Sequence, residues 1–373
     1  MDTLTDLLSK LVAIDSVNPA LVPGGAGEAR IAAFVADWCR DRGLQIDVIE
    51  PAPGRPSVVA TARGSGGGRS LLLNAHMDTV GTEGMDSPHE PRVEGERLYG
   101  RGAFDMKAGL AAIMLAAAEA AERGLRGDVL MTAVADEEFA SVGVQSVLER
   151  YTADGAIVTE PTALEACVAH RGFVWLEVET RGRAAHGSRP DLGIDAIAKM
   201  GGVLSGIENL GQSLRDHSHP LLGSGSIHAS LIEGGQELSS YPERCLLKVE
   251  RRTLPGEDDA EGELLAIVEG LTAGDPDLAA AVRTTLVRPP FEADPDEEIV
   301  RLVRRHGTED GAEPPLTGHA AWMDAAFLSA AGIPTVVYGP GGEGAHAEVE
   351  WVDLEQTRRC AQTVVATAAD FCS

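Results

Sequence analysis

Residues 71–80 read LLLNAHMDTV: three leucines, a polar residue, then His76 and Asp78. The apolar run predicts a core strand, and side chains two apart on a strand point the same way. His76 and Asp78 therefore share a face at the strand's C-terminal end, where open α/β sheets hold their ligands. Alone, His-x-Asp has two readings, a core strand with a polar tail or one wall of a metal site. In the second, the aspartate can accept the imidazole's other N–H and so orient the ring.

The same design recurs along the chain. The run 128–134 (DVLMTAV) leads into Asp136, Glu137 and Glu138, 155–159 leads into Glu160, and 333–338 (IPTVVY) leads into a glycine-rich loop carrying His346. Asp105 lies in the glycine-rich turn of YGRGAFDMKAGL, before a helix expected over 106–123 with Gly124 as its C-terminal cap. Taken singly, each has a plainer reading: a solvated acidic loop, an N-cap aspartate, an exposed loop histidine. Together, five candidate ligands follow apolar strands or their turns. Two divalent ions, three carboxylates (Asp105, Glu138, Glu160) and one hydroxide sum to neutrality, and mixed nitrogen and oxygen ligation suits zinc, with cobalt or manganese tolerated. One acid of the 136–138 cluster can bind metal while its neighbour handles protons.

Strand runs at 45–49, 57–62, 70–76, 128–134, 155–159 and 333–338 alternate with helical patterns, which predicts an α/β fold with a mixed, mostly parallel sheet flanked by helices. GSGGG at 64–68 reads as a hairpin-like turn between two of them. The middle differs: strand 173–181, helix 192–210, strands 226–233 and 244–252, helix 257–272 and strand 280–288 follow the ferredoxin-like order βαββαβ. The expected organisation is a discontinuous catalytic domain, 1–172 and 290–373, with an inserted domain at 173–289.

Bulk properties exclude several function classes. A chain of 373 residues exceeds what one hydrophobic core usually serves. A net charge of −27 argues against nucleic acid as a partner. No run of 18 or more apolar residues argues for a membrane span, and the N-terminus reads as an amphipathic helix rather than a signal peptide, so a cytoplasmic location is expected. Cys39, Cys167, Cys245, Cys360 and Cys372 are widely spaced without C-x-x-C pairs, which predicts inert thiols rather than disulfides or a cysteine metal site.

The motifs HMDTV, GRGAFDMKAG, DEE, TEP, AHGSRPDLGIDAI, ERRTLPGE and GPG…AH occur in this order over nearly the whole chain. In them the sequence resembles the dinuclear zinc metallohydrolases and metallopeptidases that include acetylornithine deacetylase, succinyl-diaminopimelate desuccinylase, aminoacylase and glutamate carboxypeptidase. The resemblance implies a zinc-peptidase-like catalytic domain and makes the inserted domain a lid that also dimerises. It assigns His76 and Glu160 to one metal, Glu138 and His346 to the other, and Asp105 as the bridge. It makes Asp78 the residue that orients His76, and Glu137 the general base for attack by metal-bound hydroxide. A cis peptide after Asp105 is implied as well. His186 would donate to the substrate oxyanion and Arg252 would clamp a substrate carboxylate, while its neighbour Arg251, facing the other side of the strand, is read as structural. Ser239 stands where many members carry a substrate-recognising asparagine. Glutamate at position 160 favours an enzyme that cleaves the amide of an N-acyl amino acid, with carboxypeptidase or dipeptidase action on small peptides as the alternative. A non-catalytic, metal-stabilised binding protein is a remote third reading.

Overall fold

The structure is a computed structural model and describes residues 3–373. The chain divides into two compact units: residues 1–168, 293–317 and 323–373 form the first, and residues 169–292 with 318–322 form the second.

The first unit is built on one mixed sheet. Its strands run in the order Gln45–Ile49, Ser57–Ala62, Val129–Val134, Leu71–His76, Gly155–Val158, Thr335–Val337 and Ala166–His170. The four central strands, Val129–Val134, Leu71–His76, Gly155–Val158 and Thr335–Val337, are mutually parallel. Every residue of Leu71–His76 is buried, Asn74 and His76 included, as in a strand covered on both faces. The helix Ala108–Arg123 buries Leu110, Ile113, Met114 and Ala117, and Gly124 closes it at φ +62°, a conformation that costs glycine nothing.

Two expectations are corrected. Segment 64–68 is not a hairpin turn, because Val129–Val134 lies between the two strands it was expected to join, antiparallel to Ser57–Ala62 and parallel to Leu71–His76. Its backbone instead bonds the 125–127 segment, Ser65 N–H donating to Leu125 O and Gly66 N–H to Arg126 O. The helix expected from 106 begins at Ala108, preceded by an irregular turn over Ala103–Lys107 that holds the cis peptide Asp105–Met106. The strand Ala166–His170 was not anticipated.

A second, small sheet orders Gly342–Glu343, Trp351–Asp353, Arg97–Tyr99 and Arg92–Glu94. Its register pairs Trp351 with Tyr99, which brings the loop ending at Glu350 against the loop beginning at Gly100.

The second unit contains an antiparallel sheet in the order Ser226–Gly234, Arg244–Thr253, Gly172–Arg181, Ala279–Arg288, with helices Ala196–Ser213 and Ala260–Gly274. This is the ferredoxin-like arrangement of a βαββαβ chain. Its core joins Leu176, Val178, Leu247 and Val249 of the sheet to Met200, Val203 and Leu264 of the helices. All five cysteines are buried and none is in a disulfide, Cys245 in the second unit and the other four in the first.

Candidate metal centre

The four parallel strands end at the same edge of the sheet, and acids or imidazoles stand at or beyond their C-terminal ends: Glu137 and Glu138, His76, Glu160, and His346. Asp105 joins them from the irregular turn ahead of Ala108–Arg123. His76 Nε2 lies 3.1 Å from Asp105 Oδ1 and 3.6 Å from Glu160 Oε1. On the other side, His346 Nε2 lies 3.3 Å from Asp105 Oδ2 and 3.2 Å from Glu138 Oε2. Asp105 thus presents one oxygen to each histidine. His346 takes a left-handed φ of +62° and leaves 54% of its side chain exposed, whereas His76 is buried.

The ring of His76 is oriented by a backbone group. Its Nδ1 lies 2.9 Å from the carbonyl oxygen of Asp78, which can only accept, so Nδ1 carries a proton and Nε2 is the nitrogen that faces the cluster. The carboxylate of Asp78, expected to do this, is 3.7 Å from Nδ1. It is occupied elsewhere: Oδ1 accepts the N–H of Glu137, and Oδ2 accepts the N–H of Glu138 and the side-chain amide of Asn18. Asp78 therefore ties the strand bearing His76 to the turn bearing both glutamates. The N-cap reading of Asp105 fails too, since its carboxylate is held by the two imidazoles.

Electrostatics fit a cationic occupant. Burial raises Glu137 and Glu160 well above the ordinary carboxylate range, against the pull of His76, and each adds to or receives the repulsion of its neighbours. Glu138 is raised by burial and by Asp105. Burial would raise Asp105 as well, but its hydrogen bonds to His346 and His76 hold it below the usual range. His346 is pushed up to about 10 by hydrogen bonds to Asp105 and Glu138, and His76 rises well above normal because Glu160 and Asp105 outweigh its burial. Glu138 Oε1 is buried with no hydrogen-bond partner among the described residues. Ligand atoms of His76, Glu137 and Glu160, and of His76, Asp105 and Glu138, fall within 4.8 Å of one another. Clustered carboxylates, a spare buried oxygen and two imidazoles make a donor set suited to two divalent ions.

A supporting network escaped the sequence reading. Asn18 Nδ2 donates to Asp78 Oδ2 at 2.8 Å and Asp136 Oδ1 at 3.0 Å, and Arg55 donates to Asp136 Oδ1 and to both oxygens of buried Glu28, each at 2.7 Å. Asp136 is left-handed at φ +69°, so these contacts pin the turn that aims Glu137 and Glu138. The one signal in the sequence was a polar pair, Ser16 and Asn18, in a short stretch the fold buries.

The remaining expected residues lie in the second unit. His186 bridges to Ser240, its Nδ1 is 2.8 Å from Ser188 Oγ, and the N–H of Gly187 donates to Ser239 O, so His186 and Ser239 are neighbours. The helix that follows is capped by Asp195, which accepts from Ala198 N–H, and not by His186. Arg252 donates through Nε to Glu250 at 2.7 Å and lies over the ring of Phe173 at 4.9 Å. Arg251, on the opposite face, is buried in ion pairs with Glu257 and Glu263.

Comparison with known proteins places this geometry. The chain is 30% identical to the acetylornithine deacetylase of Myxococcus xanthus, over 100% of this chain and 99% of the relative. It is 27% identical to the N-formyl-4-amino-5-aminomethyl-2-methylpyrimidine deformylase of Halalkalibacterium halodurans, over 100% and 95%. A tripeptidase from Staphylococcus aureus shares its fold with a TM-score of 0.81 at 21% identity, over 99% of this chain and 98% of the other. Residues 72–370, from the strand of His76 almost to the C-terminus, match the peptidase family M20/M25/M40, and the chain belongs to that family.

Proposed function

We propose that the protein is a metal-dependent hydrolase that cleaves the amide bond of an N-acyl amino acid, releasing the acyl group as a carboxylic acid. The observation that carries this reading is one partly buried acid, Glu137, beside two imidazole–carboxylate sets that share Asp105. His76, Asp105 and Glu160 would hold one ion, and His346, Asp105 and Glu138 the other. Two divalent ions there, with zinc best suited to the donors, would acidify a water and polarise the acyl carbonyl. Glu137 would take a proton from the attacking water and deliver it to the nitrogen of the leaving amine. Asp78 fixes the backbone of Glu137 and so the approach of its carboxylate.

The similarity to two relatives named for removing acetyl and formyl groups from nitrogen supports a deacylase. On this reading His186, Ser239 and Arg252 serve substrate recognition, Arg252 through a planar guanidinium suited to a carboxylate. We also assign the exposed edge strand Ser226–Gly234 to pairing with a second copy, as a homodimer requires.

The test is hydrolysis of a panel of N-acetyl, N-succinyl, N-formyl and N-carbamoyl amino acids and C-terminal-glutamate dipeptides with added Zn²⁺ or Co²⁺. Turnover of N-acyl amino acids above dipeptides is expected. Preference for the dipeptides would make the protein a peptidase, and silence on the whole panel would overturn the substrate class.

A further inference from the structure

Beyond the six residues of the centre, one buried ion pair touches the loop of the shared ligand directly. Glu350 is 1% exposed and Arg101 2%. The carboxylate of Glu350 is fully occupied: Oε2 accepts from Arg101 Nη1 at 2.7 Å and Gly102 N–H at 3.0 Å, and Oε1 accepts from Phe104 N–H at 2.9 Å and Asp105 N–H at 3.1 Å. Arg101 spends its other nitrogens on backbone, Nη2 on Ala347 O and Nε on Gly81 O, both at 3.0 Å. The small sheet makes this meeting possible, because pairing of Trp351 with Tyr99 sets Glu350 beside the start of the 100–105 loop.

The chemistry of the loop explains why an acid is needed. Residues 102–105 turn irregularly, with Gly102 left-handed at φ +76°, so the N–H groups of Gly102, Phe104 and Asp105 lack the carbonyl partners a regular element would supply. Buried amides must find acceptors. One carboxylate satisfies three of them and has capacity left for a guanidinium. With both oxygens taken, Glu350 is no ligand. It acts on Asp105 through that residue's own backbone, and Arg101 extends the hold to Ala347, next to His346.

We propose that Glu350, clasped by Arg101, is the positioning residue that sets Asp105 against His346, and so governs affinity for the ion held by His346, Asp105 and Glu138. This rests on the reading of those three as ligands. His76 is tied independently, through Asp78, so the ion it holds with Glu160 depends on the clasp only through Asp105 and is the less affected.

The experiment is titration of the metal-stripped protein with Co²⁺, followed by calorimetry and by the visible absorption of the bound ion, for wild type and Glu350→Gln. The amide has nearly the same shape but can accept on one side only. Wild type is expected to take up two ions. E350Q, with a native near-ultraviolet circular dichroism spectrum, is expected to bind the second ion roughly 10–100-fold more weakly and the first with a smaller loss, with an altered band shape. An unchanged second affinity and spectrum would overturn the clasp and leave the proposed function standing. Wild type that binds no Co²⁺ would overturn the reading of the centre and the clasp with it. Should E350Q not fold, Arg101→Lys carries the test: it keeps the charge but loses the hold on Ala347 and Gly81. A several-fold weaker second site is expected, and an unchanged titration refutes the proposal.

Discussion

Glu137 and His346 carry the most specific expectations. Replacing Glu137 with glutamine removes the proton carrier and leaves the ligand sets intact, so both ions should remain while kcat falls about 10²–10⁴-fold. Metal content by atomic emission, measured alongside turnover, checks this, and normal turnover would contradict the assigned role. His346 gives the pH dependence. In the metal-free protein its pKa stands at about 10, so it keeps a proton that a metal must displace. Affinity therefore rises with pH, by about tenfold per pH unit for each proton released. Zn²⁺ or Co²⁺ dissociation constants at pH 6, 7 and 8 will show the trend, and a flat profile would mean the imidazoles are already neutral without metal.

Among the elements, the turn after strand Val129–Val134 and the strand Leu71–His76 do separable work. Asn18→Ala leaves the buried carboxylates of Asp78 and Asp136 one donor short, which should cost about 1–3 kcal/mol in urea unfolding and lower kcat more than it changes KM. Leu73→Ala opens a cavity in a fully buried strand and should cost about 2–5 kcal/mol, with kcat of the folded fraction near wild type. The same contrast explains what could be read from the sequence. Leu71–His76 was legible because burial on both faces leaves a largely apolar run, and the candidate ligands were legible because acids and histidines close after such runs are conspicuous. Strand order was not legible: periodicity gives faces, not neighbours, so the insertion of Val129–Val134 beside Ser57–Ala62 was missed. Nor were Asn18 and Glu350, whose partners lie 60 residues away in Asp78 and 245 away in Asp105. A polar residue with a distant partner looks in sequence like any surface residue.

For the whole molecule, metal and self-association become questions of stability. If the centre binds ions only when folded, chelation should lower the melting temperature and added Zn²⁺ restore it, since a ligand at 100 times its Kd adds about 2.7 kcal/mol. Scanning calorimetry with and without chelator measures this. Leu231 and Ile232, 59% and 52% exposed on the edge strand Ser226–Gly234, are apolar groups that a second copy would cover. Leu231→Glu should therefore give a monomer by light scattering, and a wild-type monomer would refute the proposed dimer. The buried thiols offer a different kind of access. Burial pushes Cys39, Cys360 and Cys372 up to about 12 and raises Cys245, so in the native state none should react with a thiol reagent. Only Cys245 belongs to the second unit, and labelling resolved by peptide makes these sulfurs built-in clocks, timing how often each unit opens on its own.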